Sequence, residues 1–367
     1  MTRVYTVVTA VPCGVDVDSP VPVDLAIIGG GVAGLSLARA AAMQGARVVL
    51  LEQSEDAAVG WRGGGASSLP VALLNPWRGR KGDAHEDDLR GLAVTWRWAA
   101  ELEGEGLEPG AVRTGVLRIP SSARQAASWR ERCEAEASLI WLPAGSVPAP
   151  YHAPFGAMQV EDGGRIDAAA WLTALAASAA RHGAQLRQGV EVQAVEHGVE
   201  GAWRVRGEDG GMLVEAWRVV SAVGADAPPR VQGGGEPAPW PTWIRTQGEE
   251  VRITGVPTLP WPIAGGLYGA SVQEGEAWIG GGHRPLGEDD PSAATNLRDA
   301  FAWSYPPVAE GTILEVWHGA RAKREGARPD VREVAPGLWT FGAFAGRGFL
   351  CAADEAERFA RRVKPMQ

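Results

Sequence analysis

The sequence predicts an α/β protein: a Rossmann-type dinucleotide-binding domain into which an antiparallel-sheet domain is inserted. Three observations predict it. A strand, a glycine-rich turn, a helix and a second strand ending in an acid occur in order over residues 24–52. Short strands separated by turn signals fill roughly 240–320. The chain then returns to a glycine loop and an amphipathic helix near its end.

The first unit reads "DLAIIGGGVAGLSLARAAAMQGARVVLLEQ". The short apolar run through Ile27 and Ile28 reads as a buried parallel strand. Gly29, Gly31 and Gly34 fit G-x-G-x-x-G: a tight turn, a close backbone approach to a pyrophosphate, and close packing of helix on strand. The helix that follows carries Leu35, Leu37, Ala38, Ala41 and Ala42 and stops at Gly45. Its N-terminus offers N–H groups and the positive end of a dipole to phosphate. Glu52 ends the second strand, 21 residues beyond Gly31. An acid there accepts from ribose hydroxyls and disfavours a 2′-phosphate, so NADP is disfavoured, while NAD and FAD both fit at this point.

Residues 60–82 form a long glycine-rich run, read as a loop ordered against something flat. An amphipathic helix is expected over 86–104, with Leu89, Leu92, Trp96 and Ala99 on its apolar face. A strand over 110–120, a helix near 122–137, a Pro-rich connector, and a helix ending at Gly183 with flanking strands follow. "WRVVSAVGADAP" reads as a buried strand ending in Gly224, and "RVQGGGEPAPWP" as a crossing between domains. The last helix carries Ala353, Ala356, Phe359, Ala360 and Val363 on one face.

The expected division is a discontinuous cofactor domain (22–90, 156–228 and 319–367), a substrate domain (91–155 and 229–318) and an N-terminal tail (1–21). The tail lacks the pattern of a signal peptide, since its apolar part is broken by Thr and Pro. A chain of 367 residues agrees with two cores. Its net charge of −9 argues against nucleic acid as a partner. No apolar run approaches the ~20 residues of a membrane helix. Three cysteines without metal spacing point to a reducing, cytoplasmic setting, and no metal site is expected.

The second glycine loop decides between dinucleotides. A helix start near Gly348 supplies a second dipole, which a flavin ring needs at its pyrimidine end when reduced. FAD is therefore the expected cofactor.

At this point the chain resembles FAD-dependent amine and amino-acid oxidoreductases of the D-amino-acid oxidase and glycine oxidase superfamily. It is similar also to the oxidase half of the bifunctional tRNA wobble-uridine modification enzyme. The matching text is "DLAIIGGGVAGLSLA", "GGGASSLPVALLNP", "GGRIDAAAWLTAL", "VVSAVGAD", "WHGAR" and "FGAFAGRGFL". The resemblance implies Gly29, Gly31, Val32, Ala33 and Gly34 against the pyrophosphate, and Glu52 with Gln53 at the adenosine ribose. It implies Ala66, Ser67 and Leu69 along the flavin, Val192 near adenine, and Ala222 and Gly224 beside the dinucleotide. Arg347, Gly348, Phe349 and Leu350 would meet the flavin ring and ribityl chain. Arg321 matches the arginine that grips the substrate carboxylate, and Tyr268 the tyrosine that assists it. His283 joins them as a candidate where a small residue is more usual.

The implied reaction is hydride transfer from an amine or amino acid to flavin N5, imine hydrolysis, and reoxidation by oxygen. Bland alternatives stand beside these roles: an ion pair for Arg321, strand packing for Tyr268, a structural histidine at 283. Arg78, Arg80 and Lys81 are either a solvated loop or the recognition of an anionic group. Rival functions are an NAD(P)H-reduced flavoenzyme, a tRNA-modification oxidase and a non-catalytic module. The oligomeric state is left open.

Overall fold

The structure is a computed structural model. It describes residues 21–55, 65–232, 240–288, 290–326 and 328–363, with only the backbone of Val199 and His283. Most of the expected tail, residues 60–64 of the glycine-rich run and residues 233–239 of the "RVQGGGEPAPWP" crossing lie outside the described residues.

A six-stranded sheet runs Asp330–Ala335, Leu338–Gly342, Val219–Ser221, Leu25–Ile28, Val48–Leu51 and Gln185–Arg187. All neighbours are parallel except the first pair. The strands alternate as a two-faced sheet requires. Leu25, Ile27, Val48 and Leu50 pack against the helices Val32–Ala42, Glu86–Gly104, Ala168–Arg181 and Gly348–Arg362. Ala26, Ile28, Val49 and Leu51 pack against a four-stranded sheet that carries Val195, Trp203 and Val205. Runs apolar at every position are explained by burial on both faces.

An eight-stranded sheet runs Thr312–Lys323, Ile244–Thr254, Glu276–Pro285, Tyr268–Ala270, Ile263–Ala264, Val116–Arg118, Ala157–Val160 and Leu139–Leu142. Its pairs are antiparallel, as expected, except Ile263–Ala264 with Val116–Arg118. One face covers a core of Leu117, Val251, Ile253, Ile279, Phe301 and Tyr305. Ala157–Val160 and the end of Thr312–Lys323 belong to this sheet, outside the segments assigned to it from sequence.

Two local readings change. The glycine-rich run contains a strand, Val71–Leu74, paired antiparallel with Gly164–Asp167. Its apolar "VALL" meets a partner nearly a hundred residues away, which no local signal announces. The helix Glu86–Gly104 buries Leu92, Thr95, Trp98, Ala99 and Leu102, while Leu89 is exposed. The small Gly91 lets the C-terminal helix approach, because a Cβ there would lie 2.5 Å from the Leu350 carbonyl oxygen. That contact rotates the buried stripe by about one residue.

Candidate active site

The site begins at the first glycine turn. Gly29 has φ +103°, and a Cβ on it would lie 2.7 Å from the Ala222 carbonyl oxygen. A side chain is therefore excluded by conformation and by space. A Cβ on Gly34 would overlap the Gly29 carbonyl, so Gly34 lets the helix sit directly on the strand. The helix opens on Gly31 with no side-chain cap. Ser67 Oγ accepts the Val32 N–H at 3.0 Å, which ties the turn Gly65–Ser68 to the helix start. Glu52 is buried, accepting from the Gly30 N–H at 2.5 Å and from the Ser54 N–H at 2.9 Å.

The second glycine loop comes to the same place. The helix Gly348–Arg362 also opens without a side-chain cap, and a Cβ on Gly348 would lie 3.0 Å from Val32 Cγ1. Two helix starts separated by more than 300 residues thus adjoin. They border one cavity of about 420 Å³. Helix N-termini with no cap from their own N-cap side chains, glycines that leave backbone bare, and an acid at the end of the second strand form a cradle that fits an extended anionic dinucleotide.

The opposite wall is a face of the eight-stranded sheet. In register across it stand Trp317, Glu250, Gly280, Tyr268 and Ala264. Residues opposite one another on neighbouring strands share a face. The Tyr268 ring lies over Gly280, where a Cβ would fall 2.5 Å from the hydroxyl oxygen. The hydroxyl thereby reaches one strand further and donates to Glu250 Oε1 at 2.6 Å. Glu250 is fully buried and also accepts from the Val71 N–H at 3.3 Å. Burial pushes its carboxyl up to about 7, against the Tyr268 and Val71 hydrogen bonds and the charge of Arg321. Burial and the adjacent Glu250 raise the Tyr268 phenol well above its usual value.

Arg321 lies on the same face, two and four residues beyond Gly319 and Trp317. Its guanidinium passes over Gly248, where a Cβ would lie 2.7 Å from Nη2. Among the described residues it makes no ion pair and no hydrogen bond. The interface ion pair considered for it is therefore not formed with any described acid. Trp317 Nε1 donates to Ser68 Oγ at 3.1 Å, joining this wall to the glycine turn.

Most residues singled out from sequence line the cavity: Gly29, Gly31, Val32, Ala33, Glu52, Gln53, Ala66, Ser67, Leu69, Val192, Ala222, Gly224, Gly348, Phe349, Leu350, Tyr268 and Arg321. Gly34 lies behind it, at the helix–strand contact. Arg347 turns away from it: the side chain is buried, and Nη1 donates to Asp88 Oδ1 at 3.1 Å. A buried guanidinium without a carboxylate is costly, and Asp88 supplies one. His283 lies on the strand Glu276–Pro285, and its side chain is outside the described residues. His318 is exposed, with Nδ1 3.7 Å from Glu249 Oε1.

Sequence reasoning missed Glu250, Trp77, Arg118, Asp226 and Trp317. Asp226 lines the cavity beside Gln53, and burial followed by the charge of Glu52 raises its carboxyl. The usable signal for Arg118 was a charge inside the apolar strand "GVLRIP". "GEEV" offered only two adjacent acids, one of which must face inward.

Cys351 is buried with Sγ 3.4 Å from Asp88 Oδ1, and burial raises its thiol. No group of residues able to hold a metal occurs among the described residues, and none of their helices is long and apolar enough to cross a membrane.

A family model described as FAD dependent oxidoreductase matches residues 24–361. The chain is 28% identical to the tRNA 5-methylaminomethyl-2-thiouridine biosynthesis bifunctional protein of Caulobacter sp. (strain K31), covering 96% of this chain and 56% of that one. The corresponding protein of Thiobacillus denitrificans is also 28% identical, with 93% and 56% covered. The chain thus spans about half the length of the curated relatives it matches. The fold is similar to glycine oxidase from Geobacillus kaustophilus, with a TM-score of 0.75 at 21% identity, covering 94% of this chain and 95% of that one. Iminodiacetate oxidase from Chelativorans sp. BNC1 gives 0.75 at 19% identity, with 94% and 96% covered. The match over residues 24–361 places the chain in the D-amino-acid oxidase family of FAD-dependent oxidoreductases, with FAD as its cofactor.

Proposed function

We propose that this FAD-dependent oxidoreductase oxidises the C–N bond of a carboxylated amine, an amino acid or secondary amine, and that oxygen is the final acceptor. The observation that carries the reading is Arg321, a cation on the cavity wall with no partner among the described residues, close enough to Tyr268 and Glu250 to act on their ionisation. A planar guanidinium left free in a shielded site is suited to a bidentate carboxylate.

In this reading Gly29, Gly31, Val32, Ala33 and Ser67 hold the pyrophosphate side of FAD, with Gly34 behind them. Glu52, Gln53, Val192, Ala222 and Gly224 hold the adenosine half. Ala66, Leu69, Gly348, Phe349 and Leu350 hold the flavin side, and Arg347 acts through Asp88 without touching it. The six-stranded half serves the cofactor and the eight-stranded sheet the substrate. Bound FAD would supply the two-electron acceptor for removal of a hydride from the carbon next to the amine nitrogen. Arg321 fixes the carboxylate, and Tyr268, steadied by Glu250, sets its angle. Placement is what the wall contributes, and no strong base is required of it. His283 is proposed only as a neighbour of this wall.

A second reading takes its support from the names of the curated relatives: the amine would be carried on a tRNA uridine. The acidic chain weighs toward the small molecule.

Replacing Arg321 with Ala tests the first reading. The bidentate pair is worth about 1.5–3 kcal/mol, so kcat/KM for a carboxylated amine should fall roughly 10- to 150-fold, mostly through KM. An unchanged kcat/KM would remove the carboxylate anchor from the account.

A further inference from the structure

Arg118 is the most deeply buried of the charged side chains on the cavity wall, among the described residues, that the reading above leaves unused. It lies on the strand Val116–Arg118, and it is 3% exposed while lining the cavity. Leu117 pairs with Ile263 in parallel, which puts Arg118 level with Ala264, and Ala264 pairs with Tyr268. Arg118 and Tyr268 therefore share one sheet face, two strand spacings apart, about 10 Å between Cα atoms.

Its guanidinium is poorly satisfied. Nη2 donates to the Gly79 carbonyl at 2.7 Å, and the group stacks on Trp129 at 4.3 Å. Nε and Nη1 are buried with no hydrogen-bond partner among the described residues. Burial, and then the like charge of Arg78, push it down to about 10, opposed by Asp83. The Asp83 carboxylate is itself engaged by Arg132.

Arg78 lines the cavity beside it, with Nη2 2.5 Å from Asp88 Oδ2. The same Asp88 also holds Arg347. Among the described residues one carboxylate thus serves two arginines, Arg118 has none of its own, and this end of the cavity keeps a surplus of positive charge. Supporting the loop through Gly79 uses one of the five N–H groups of Arg118. It does not account for burying the rest without partners, which costs free energy in any folded protein.

We propose that Arg118, seconded by Arg78, forms a second anion-binding subsite in the same cavity, so that the preferred substrate is an amine bearing a distal acidic group in addition to the carboxylate held by Arg321. This rests on the amine-oxidation reading and deepens it. The shared chemistry is a planar or tetrahedral oxyanion several bonds beyond the amine, from either a carboxylate or a phosphate. An oxyanion is engaged when the guanidinium turns from the Gly79 loop toward the cavity, where Nε and Nη1 gain charge-assisted hydrogen bonds that the free protein lacks.

The test uses the FAD-loaded protein. Both enantiomers of aspartate, glutamate and 2-aminoadipate are compared as substrates with glycine and sarcosine, in the wild type and in Arg118→Gln. The ratio of kcat/KM for the best distal acid to that for the better of glycine and sarcosine should exceed one in the wild type. It should drop by about 10- to 100-fold in the variant. A ratio that Arg118→Gln leaves within twofold overturns the proposal. If the glutamine variant does not fold, Arg118→Lys keeps the charge without the planar fork, and the same ratio should fall by a smaller factor.

Binding is read independently from the flavin absorption spectrum. Succinate, glutarate and adipate should bind at least tenfold more tightly than monocarboxylates of equal length. The matching phosphonocarboxylates show whether phosphate or carboxylate is the better occupant. Equal binding of mono- and diacids overturns the subsite even where amines are oxidised. Tighter diacids with no amine able to reduce the flavin would leave the subsite standing and remove the reaction proposed above.

Discussion

Glu250 is wholly buried, and the Tyr268 hydroxyl and the Val71 N–H are its hydrogen-bonding partners among the described residues. Burial raises its carboxyl to about 7. Ionised, it draws the Tyr268 proton toward Oε1, and the phenol oxygen then shows lone pairs to the cavity. Protonated, it donates to that oxygen, and the Tyr268 hydroxyl is free to donate to a bound carboxylate. The sign follows: a monocarboxylate binds best below about pH 7 and loses affinity as pH rises through it, by up to tenfold per pH unit for one linked proton. Glu250→Gln, which can donate at every pH, should bind the same carboxylate with a flat profile over pH 6–8. Titration of acetate or propionate against the flavin spectrum reads this, and an unchanged slope in the variant would assign the proton elsewhere.

At the scale of elements, the wall proposed for the substrate depends on glycines as much as on the side chains that point from it. Tyr268 crosses Gly280 to reach Glu250, Arg321 crosses Gly248, and Trp317 folds over Gly319. Gly280→Ala should push the Tyr268 ring off Glu250 and raise KM for a carboxylated amine about three- to tenfold, the worth of one hydrogen bond. FAD should stay bound, because Gly280 is not among the residues that line the cavity. Loss of FAD from this variant would mean that the two walls are less independent than their sheets indicate.

The same contrast explains what was legible in the sequence. The cofactor cradle could be read because its parts are local: glycines, a helix stripe and an acid within thirty residues, and a second glycine loop running into a helix of 3.6-residue period. Glu250 was not legible, since its side-chain hydrogen bonds go to residues 18 and 179 positions away, and Arg118 was not, since its side chain donates to a loop 39 residues away. Arg347 read as a flavin contact because of its neighbours, whereas its buried partner Asp88 lies 259 residues away.

For the whole molecule, the parallel sheet and its helices bring two glycine-flanked helix starts to one side of a cavity, and the larger sheet closes the other side with Arg321 and Tyr268. Membership of the FAD-dependent oxidoreductase family settles the cofactor, while the reacting partner proposed here rests on that second wall. The most direct measurement is anaerobic reduction of the bound flavin, followed by its visible absorption. Carboxylated amines are offered beside the same amines without the carboxylate, and beside NADH. The account predicts bleaching by a carboxylated amine, slower bleaching by its decarboxylated counterpart, and none by NADH. Bleaching by NADH alone, or equal bleaching with and without the carboxylate, would contradict it.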